Sequence, residues 1–112
     1  MRSYYIDEFV PGELDRLAER LESMELSASM ENLYWLPVPQ ELLTPVQREH
    51  MHECGPYVLA LEILDEAALR LELLVRARNR LRCECVSYAG QRLVNHMILY
   101  VHGLLDAVKI TC

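Results

Sequence analysis

Apolar residues recur at every second position between Tyr57 and Cys85, in three successive runs. The runs are Tyr57, Leu59, Leu61 and Ile63; Leu69, Leu71, Leu73, Val75 and Ala77; and Leu81, Cys83 and Cys85. Because side chains alternate between the two faces of a strand, this period predicts β-strands with one buried face. The breaks at residues 65–67 and 78–80 are short enough for hairpin loops. The sequence therefore predicts three consecutive antiparallel strands.

The register of these two hairpins follows from the same pattern, since facing residues of an antiparallel pair lie on one side of the sheet. Three-residue loops give the pairs Ile63–Leu69, Leu61–Leu71 and Glu62–Arg70 in the first hairpin, and Leu73–Cys85, Val75–Cys83 and Arg76–Arg82 in the second. The first set matches apolar side chains with each other and an acid with a base. The second set would bury both thiols on the core face.

Helical signals occur in three segments, at about residues 12–24, 45–54 and 91–108. The second segment has the clearest boundaries. Thr44 is a favourable N-cap, Pro45 suits the first helical position, and Gln47 completes a capping box. The dipeptide Gly55-Pro56 then ends the helix.

The remaining strands are predicted before the second helix. Leu26, Ala28 and Met30 alternate with serines, and an aromatic run at residues 33–36 follows a turn, which indicates a short hairpin ending at Pro37. Tyr4 to Val10 is also β-prone, up to Pro11.

The predicted class is α+β, with a single antiparallel five-stranded sheet, helices on its apolar face and the order α-β-β-α-β-β-β-α. The chain has 112 residues, 52% of them hydrophobic, and a mean hydropathy of +0.02. This composition excludes disordered and low-complexity proteins. We expect residues 1–112 to form one domain.

Net charge, the N-terminal residues and the cysteines indicate which partners and which cellular compartment to expect. Eleven basic residues against seventeen acidic ones give a net charge of −6, which is the wrong overall sign for binding nucleic acid or an anionic membrane. The first eight residues show no apolar run, so we expect no secretory signal and a cytoplasmic location. The four cysteines, at positions 54, 83, 85 and 112, form no spaced disulfide framework.

Two short clusters contain residue types that bind zinc, His50 to Cys54 and Cys83 to Cys85. On a helix His50 and Cys54 share a face, and on a strand Cys83 and Cys85 do so too. A Cys₃His site is therefore possible if the second helix ends over the last strand. The alternative is that the cysteines are small core residues, and thiol redox chemistry is a third interpretation.

Two further surfaces are candidates for partner contacts. Arg76, Arg78, Arg80 and Arg82 lie around the second hairpin loop, where they could bind an acidic protein or simply form a solvated tip.

The last helix has a polar side interrupted by Leu99, with His96 and Gly103 beside it. A helix glycine next to an exposed leucine indicates close approach of another backbone, which predicts a self-association or partner surface. The apolar residues on the outer sheet face suggest cover by another subunit or by Tyr4 to Val10.

No phosphate loop, nucleophile elbow or metalloprotease motif occurs in the chain, so no catalytic residue is proposed. Our first functional hypothesis is a small non-catalytic interaction or adaptor module that needs no cofactor, binds an unidentified protein partner and forms a homo-oligomer, most simply a homodimer. The second is a zinc-binding domain using His50, Cys54, Cys83 and Cys85. An enzyme that binds a small molecule and is unrecognisable from its sequence is the third.

Overall fold

The computed structural model describes residues 2–65 and 67–111 of the chain. Two residues discussed above lie outside the described residues: Glu66, in the first hairpin loop, and Cys112. The strands are β1 (Ser3–Ile6), β2 (Leu33–Pro37), β3 (Tyr57–Leu64), β4 (Ala68–Glu72), β5 (Leu74–Ala77) and β6 (Ser87–Tyr88). The helices are α1 (Glu13–Ser23), α2 (Pro45–Cys54) and α3 (Gln91–Ala107), with one 3₁₀ turn at Gln40–Leu42.

The α+β class is confirmed, with three helices at the predicted places in the chain and an antiparallel sheet. Strand β3 lies at its centre, with β2 on one edge and both β4 and β5 on the other. The predicted register of the first hairpin is confirmed at all three pairs, Leu61–Leu71, Glu62–Arg70 and Ile63–Leu69.

The register of the second hairpin differs from the prediction. The run from Leu69 to Ala77 is interrupted at Leu73. The backbone N–H of Leu73 donates to the Arg2 carbonyl, and the Leu73 carbonyl accepts from the Ala89 N–H. Pairing beyond this break joins Leu74 to Tyr88 and Val75 to Ser87. The predicted pairs Leu73–Cys85, Val75–Cys83 and Arg76–Arg82 are therefore wrong, and residues 81–86 form a turn between β5 and β6.

The N-terminal segment takes its place in the sheet. Strand β1 pairs with the free edge of β4, which makes the sheet six-stranded where five were predicted, and it does not cross the outer face. The predicted hairpin at residues 26–36 keeps only β2 as a strand. Its first half contributes an isolated bridge from Ser27 to Tyr34.

The core lies between one face of the sheet and the helices. Buried leucines of α1 and the apolar side of α3 pack against inward residues of β2, β3 and β4. The other face is open and mixed, with two ion pairs, Arg70–Glu62 and Arg76–Glu72, among half-buried apolar residues. In the described part of the chain, no helix is long and apolar enough to cross a membrane.

Candidate metal centre

Helix α2 holds His50 and Cys54 one turn apart near its C-terminal end. The helix begins as its sequence predicts: the Thr44 hydroxyl accepts from the Gln47 N–H, and the Gln47 side chain accepts from the Thr44 N–H. With the start fixed, a four-residue spacing puts both side chains on one face. His50 is half-buried and Cys54 is buried.

The turn at residues 81–86 brings Cys83 and Cys85 to this face of α2. Backbone bonds join the two segments at one end, since the Asn79 N–H donates to the Cys54 carbonyl over 3.0 Å. At the other end the Gln47 side chain, which is only 1% exposed, donates to the Cys85 carbonyl over 3.0 Å. The chain is thus bonded to the helix just before the turn, at Asn79, and within it, at Cys85.

Four ligand atoms converge between the helix and the turn. The imidazole of His50 and the thiols of Cys54, Cys83 and Cys85 lie within 4.8 Å of one another. His50 Nδ1 lies 3.1 Å from Cys83 Sγ. In a tetrahedral zinc site, bonds of about 2.3 Å to sulfur separate two ligand sulfurs by about 3.8 Å. The cluster could therefore hold a metal ion with shifts of about 1 Å or less.

The site lies at the margin of the core. Cys54 and Cys85 are each only 1% exposed, whereas Cys83 and His50 are half-buried. The burial of Cys54 and Cys85 alone would also fit the alternative interpretation, in which the cysteines are small core residues. The half-buried pair distinguishes the site from a plain core cluster, because a metal ion can enter from the His50 and Cys83 side.

The cysteines differ in acidity. Hydrogen bonds from the Cys85 backbone N–H and then the Cys85 thiol lower the pKa of Cys83 to about 7, against a smaller opposing effect of burial. Burial raises the pKa of Cys54 well above its ordinary value, with the neighbouring thiols adding to the rise. Of these two thiols, Cys83 is the more ready to supply a thiolate, which is the form that binds metal.

Three residues around the cluster were not predicted as part of it. Glu84 Oε1 lies 3.5 Å from His50 Nε2, on the ring nitrogen that points away from Cys83. Gln47 was predicted only as a capping residue, yet its side chain also binds the turn. Tyr57 donates to the Gln47 carbonyl, and burial raises the pKa of its phenol. No local signal marks these roles, because each contact joins distant parts of the chain.

The four arginines predicted as a partner surface have different surroundings. Arg76 makes a two-bond contact with Glu72 on the open sheet face. Arg78 lies over the Trp35 ring at 5.7 Å from its centroid, and Arg80 is 4.0 Å from a Glu53 oxygen. Arg82 is exposed. Three of the four arginines thus already contact a glutamate or Trp35 of their own chain, which reduces the positive charge available to a partner.

The α3 surface keeps the exposure that its sequence predicts. Leu99 is 72% exposed, and His96 and Gly103 are also exposed. A Cβ atom added at Gly103 would meet nothing within 4 Å, so the packing of its own chain does not require this glycine. Comparison of the chain with protein-family models, curated proteins and solved structures gave no significant match.

Proposed function

We propose that this protein is a zinc-binding domain whose metal is held by His50, Cys54, Cys83 and Cys85. The observation that carries the proposal is the convergence of four ligand atoms, from two segments distant in the chain, within 4.8 Å. Packing of small thiols in a core would not by itself explain why an imidazole nitrogen lies close to all three of them.

The chemistry of the donors favours zinc over other metals. Three thiolates and one imidazole are soft or borderline ligands, which suit zinc and not magnesium or calcium. The set is one of the combinations that structural zinc sites use. All four tetrahedral positions are filled by side chains, so no position remains for a substrate or a reactive water. The proposed role of the metal is therefore structural.

A structural metal has a definite task in this fold. The chain between β5 and β6, residues 78–86, has no strand pairing of its own. A zinc ion would join two residues of this segment to two residues of α2, in addition to the bonds made by Gln47 and Asn79. The metal would thus fix the surface that this segment presents.

A closed metal centre also supports our first hypothesis, a non-catalytic module that acts by binding protein. The specific observation in its favour is Leu99 on α3, a large apolar side chain that is 72% exposed in the middle of an otherwise polar helix face. In this proposal zinc supplies a stable scaffold, and the function lies in a surface.

The test is the metal content of protein purified under reducing conditions without chelators. Native mass spectrometry should show one zinc ion per chain, and Cys83→Ser and His50→Ala should each lose it. Cobalt(II) in place of zinc should give the visible absorption of tetrahedral thiolate coordination.

The matched control is His52→Ala. His52 lies two residues from His50 on the same helix, is exposed and does not belong to the cluster. This variant should keep its zinc. Wild-type protein that purifies without metal and fails to bind added zinc would refute the proposal, and so would equal loss in His50→Ala and His52→Ala.

A further inference from the structure

The exposed face of α3 has an arrangement of charge that the metal site does not use. Its centre is Leu99, and the exposed residues on the same face include Arg92 and Asp106. Arg92 precedes Leu99 by seven residues and Asp106 follows it by seven, which is two helical turns in each direction. The two charged residues therefore lie at equal distances on either side of Leu99, and their charges are opposite.

This arrangement is unfavourable for an isolated helix. The N-terminus of a helix has a partial positive charge and its C-terminus a partial negative charge. In α3 the arginine lies in the first turn and the aspartate in the last turn, so each has the sign that its helix end disfavours. No basic residue occupies the last turn and no acidic residue the first.

A second copy of α3 in antiparallel orientation reverses both mismatches. Residues equally far from Leu99 then face each other, so Arg92 lies beside Asp106 of the second copy, and the same contact recurs at the other end. Each arginine also lies at the C-terminus of the opposing helix and each aspartate at its N-terminus, where the dipole favours them.

We propose that this face of α3 binds a second copy of the chain, as an antiparallel helix pair on a two-fold axis through Leu99. A two-fold interface needs a surface that is complementary to itself, and the charges of α3 meet this condition. Gly103, around which the chain leaves open space, faces Asn95 of the second copy and allows the helices to approach closely.

The two-fold axis places each remaining residue of this face. Leu99 packs on Leu99 of the second copy, and His96 faces His102 there. His102 is held in position by its own chain, since its Nε2 lies 2.7 Å from the Tyr4 hydroxyl oxygen. The contact is one helix wide with a single strongly exposed apolar residue on each side. It therefore belongs with the smaller, transient interfaces, below about 1,200 Å² in buried area.

The proposal is independent of the metal centre, because none of the four candidate ligands lies on α3. Sedimentation velocity of the wild-type chain, over concentrations from roughly 10 to 500 µM, should show a reversible monomer–dimer equilibrium. Leu99→Arg should weaken dimerisation by about tenfold or more, since it places two like charges on the two-fold axis. Leu99 is exposed, so the substitution leaves the core intact.

Charge reversal tests the antiparallel geometry itself. Arg92→Asp and Asp106→Arg should each weaken the dimer several-fold, because each brings like charges together at both ends of the pair. The double variant should restore wild-type dimerisation. Both reversals improve the match between α3 and its own dipole, so neither is expected to unfold the helix, and circular dichroism checks this.

Met30→Arg is the matched control, since Met30 is 67% exposed outside α3 and the substitution adds the same charge. It should leave the dimer unchanged. A wild-type chain that is monomeric throughout the range would overturn the proposal. A dimer that tolerates Leu99→Arg would do the same by assigning the contact to another surface. Failure of the double reversal to restore a dimer lost in the single variants would exclude the antiparallel arrangement.

Discussion

His50 is the residue at which the metal proposal can be tested in most detail, because its two ring nitrogens face different groups. Nδ1 lies 3.1 Å from Cys83 Sγ, within the cluster, and Nε2 lies 3.5 Å from Glu84 Oε1, outside it. Histidines that bind metal through one nitrogen usually donate the other N–H to a carboxylate or carbonyl. If Nδ1 binds zinc, Glu84 accepts the Nε2 proton and fixes the orientation of the ring.

Glu84→Gln should therefore weaken zinc binding while leaving one metal ion per chain. Loss of a carboxylate that orients a ligand typically costs about 10- to 100-fold in metal affinity. We expect about tenfold, the low end, because the Glu84 side chain is 75% exposed and water screens its charge. Competition with a chromophoric chelator measures the dissociation constant.

Glu53→Gln is the control for this prediction. It makes the same change of charge at an exposed position beside Cys54, where the carboxylate faces Arg80 and not His50. Its zinc affinity should stay within about twofold of the wild-type value. Equal affinities of the Glu84 and Glu53 variants would show that Glu84 does not position His50.

At the level of single residues, the sequence predicted the four members of the His/Cys cluster but not the residues that contact them. His50 with Cys54, and Cys83 with Cys85, are recognisable because donor type and spacing are local properties. The contact of Glu84 with His50 spans 34 positions, and that of Gln47 with Cys85 spans 38. Nothing in the neighbourhood of either residue marks such a contact.

Among the elements, α2 was predicted with both of its ends because its boundary signals act within a few residues. The turn at residues 81–86 was mistaken for a strand for the opposite reason. Leu81, Cys83 and Cys85 alternate as strand residues do, but here Cys83 and Cys85 face α2, and Gln47 takes the carbonyl that a strand partner would use. Alternation alone cannot separate these two cases.

The start of α2 provides the prediction at this scale. Thr44→Ala removes the hydroxyl that accepts from the Gln47 N–H over 3.2 Å, and one helix N–H loses its partner. We expect a loss of about 1 kcal/mol in the free energy of unfolding. Urea denaturation should show a lower midpoint with an unchanged slope.

Thr44→Ser keeps the capping hydroxyl and should remain within about 0.5 kcal/mol of the wild type. This pair separates the hydrogen bond from the loss of the threonine methyl group. If the serine variant is as unstable as the alanine variant, the methyl group matters and the cap does not.

For the whole molecule, local patterns sufficed for the class and for the first hairpin, whose short loop fixes its register. They did not suffice where pairing joins segments that are distant in the chain. Strand β1 pairs with β4 across more than sixty residues, and Leu73 breaks its strand to bond with Arg2 and Ala89. At Leu73 the fold therefore depends on contacts with two distant segments, the N-terminal one at Arg2 and the one after β6 at Ala89. A metal that fixes the chain between β5 and β6 should for this reason affect the stability of the entire domain.

Zinc should accordingly raise the thermal midpoint of the whole chain. A ligand at 100 times its dissociation constant stabilises the folded state by about 2.7 kcal/mol, provided that it does not bind the unfolded chain. For a domain of this size, about 4 °C per kcal/mol gives a rise of about 10 °C. Calorimetry of the reduced protein, with and without zinc, measures the difference.

Two variants show whether this rise comes from the proposed centre. Cys83→Ser should abolish it, since one ligand of four is lost. Leu99→Arg should keep it in full, because α3 supplies no ligand and the proposed dimer contact is separate from the metal. A rise that survives Cys83→Ser would place the zinc elsewhere. A rise lost in Leu99→Arg would show that metal binding and self-association are one linked equilibrium, contrary to the independence inferred from the structure.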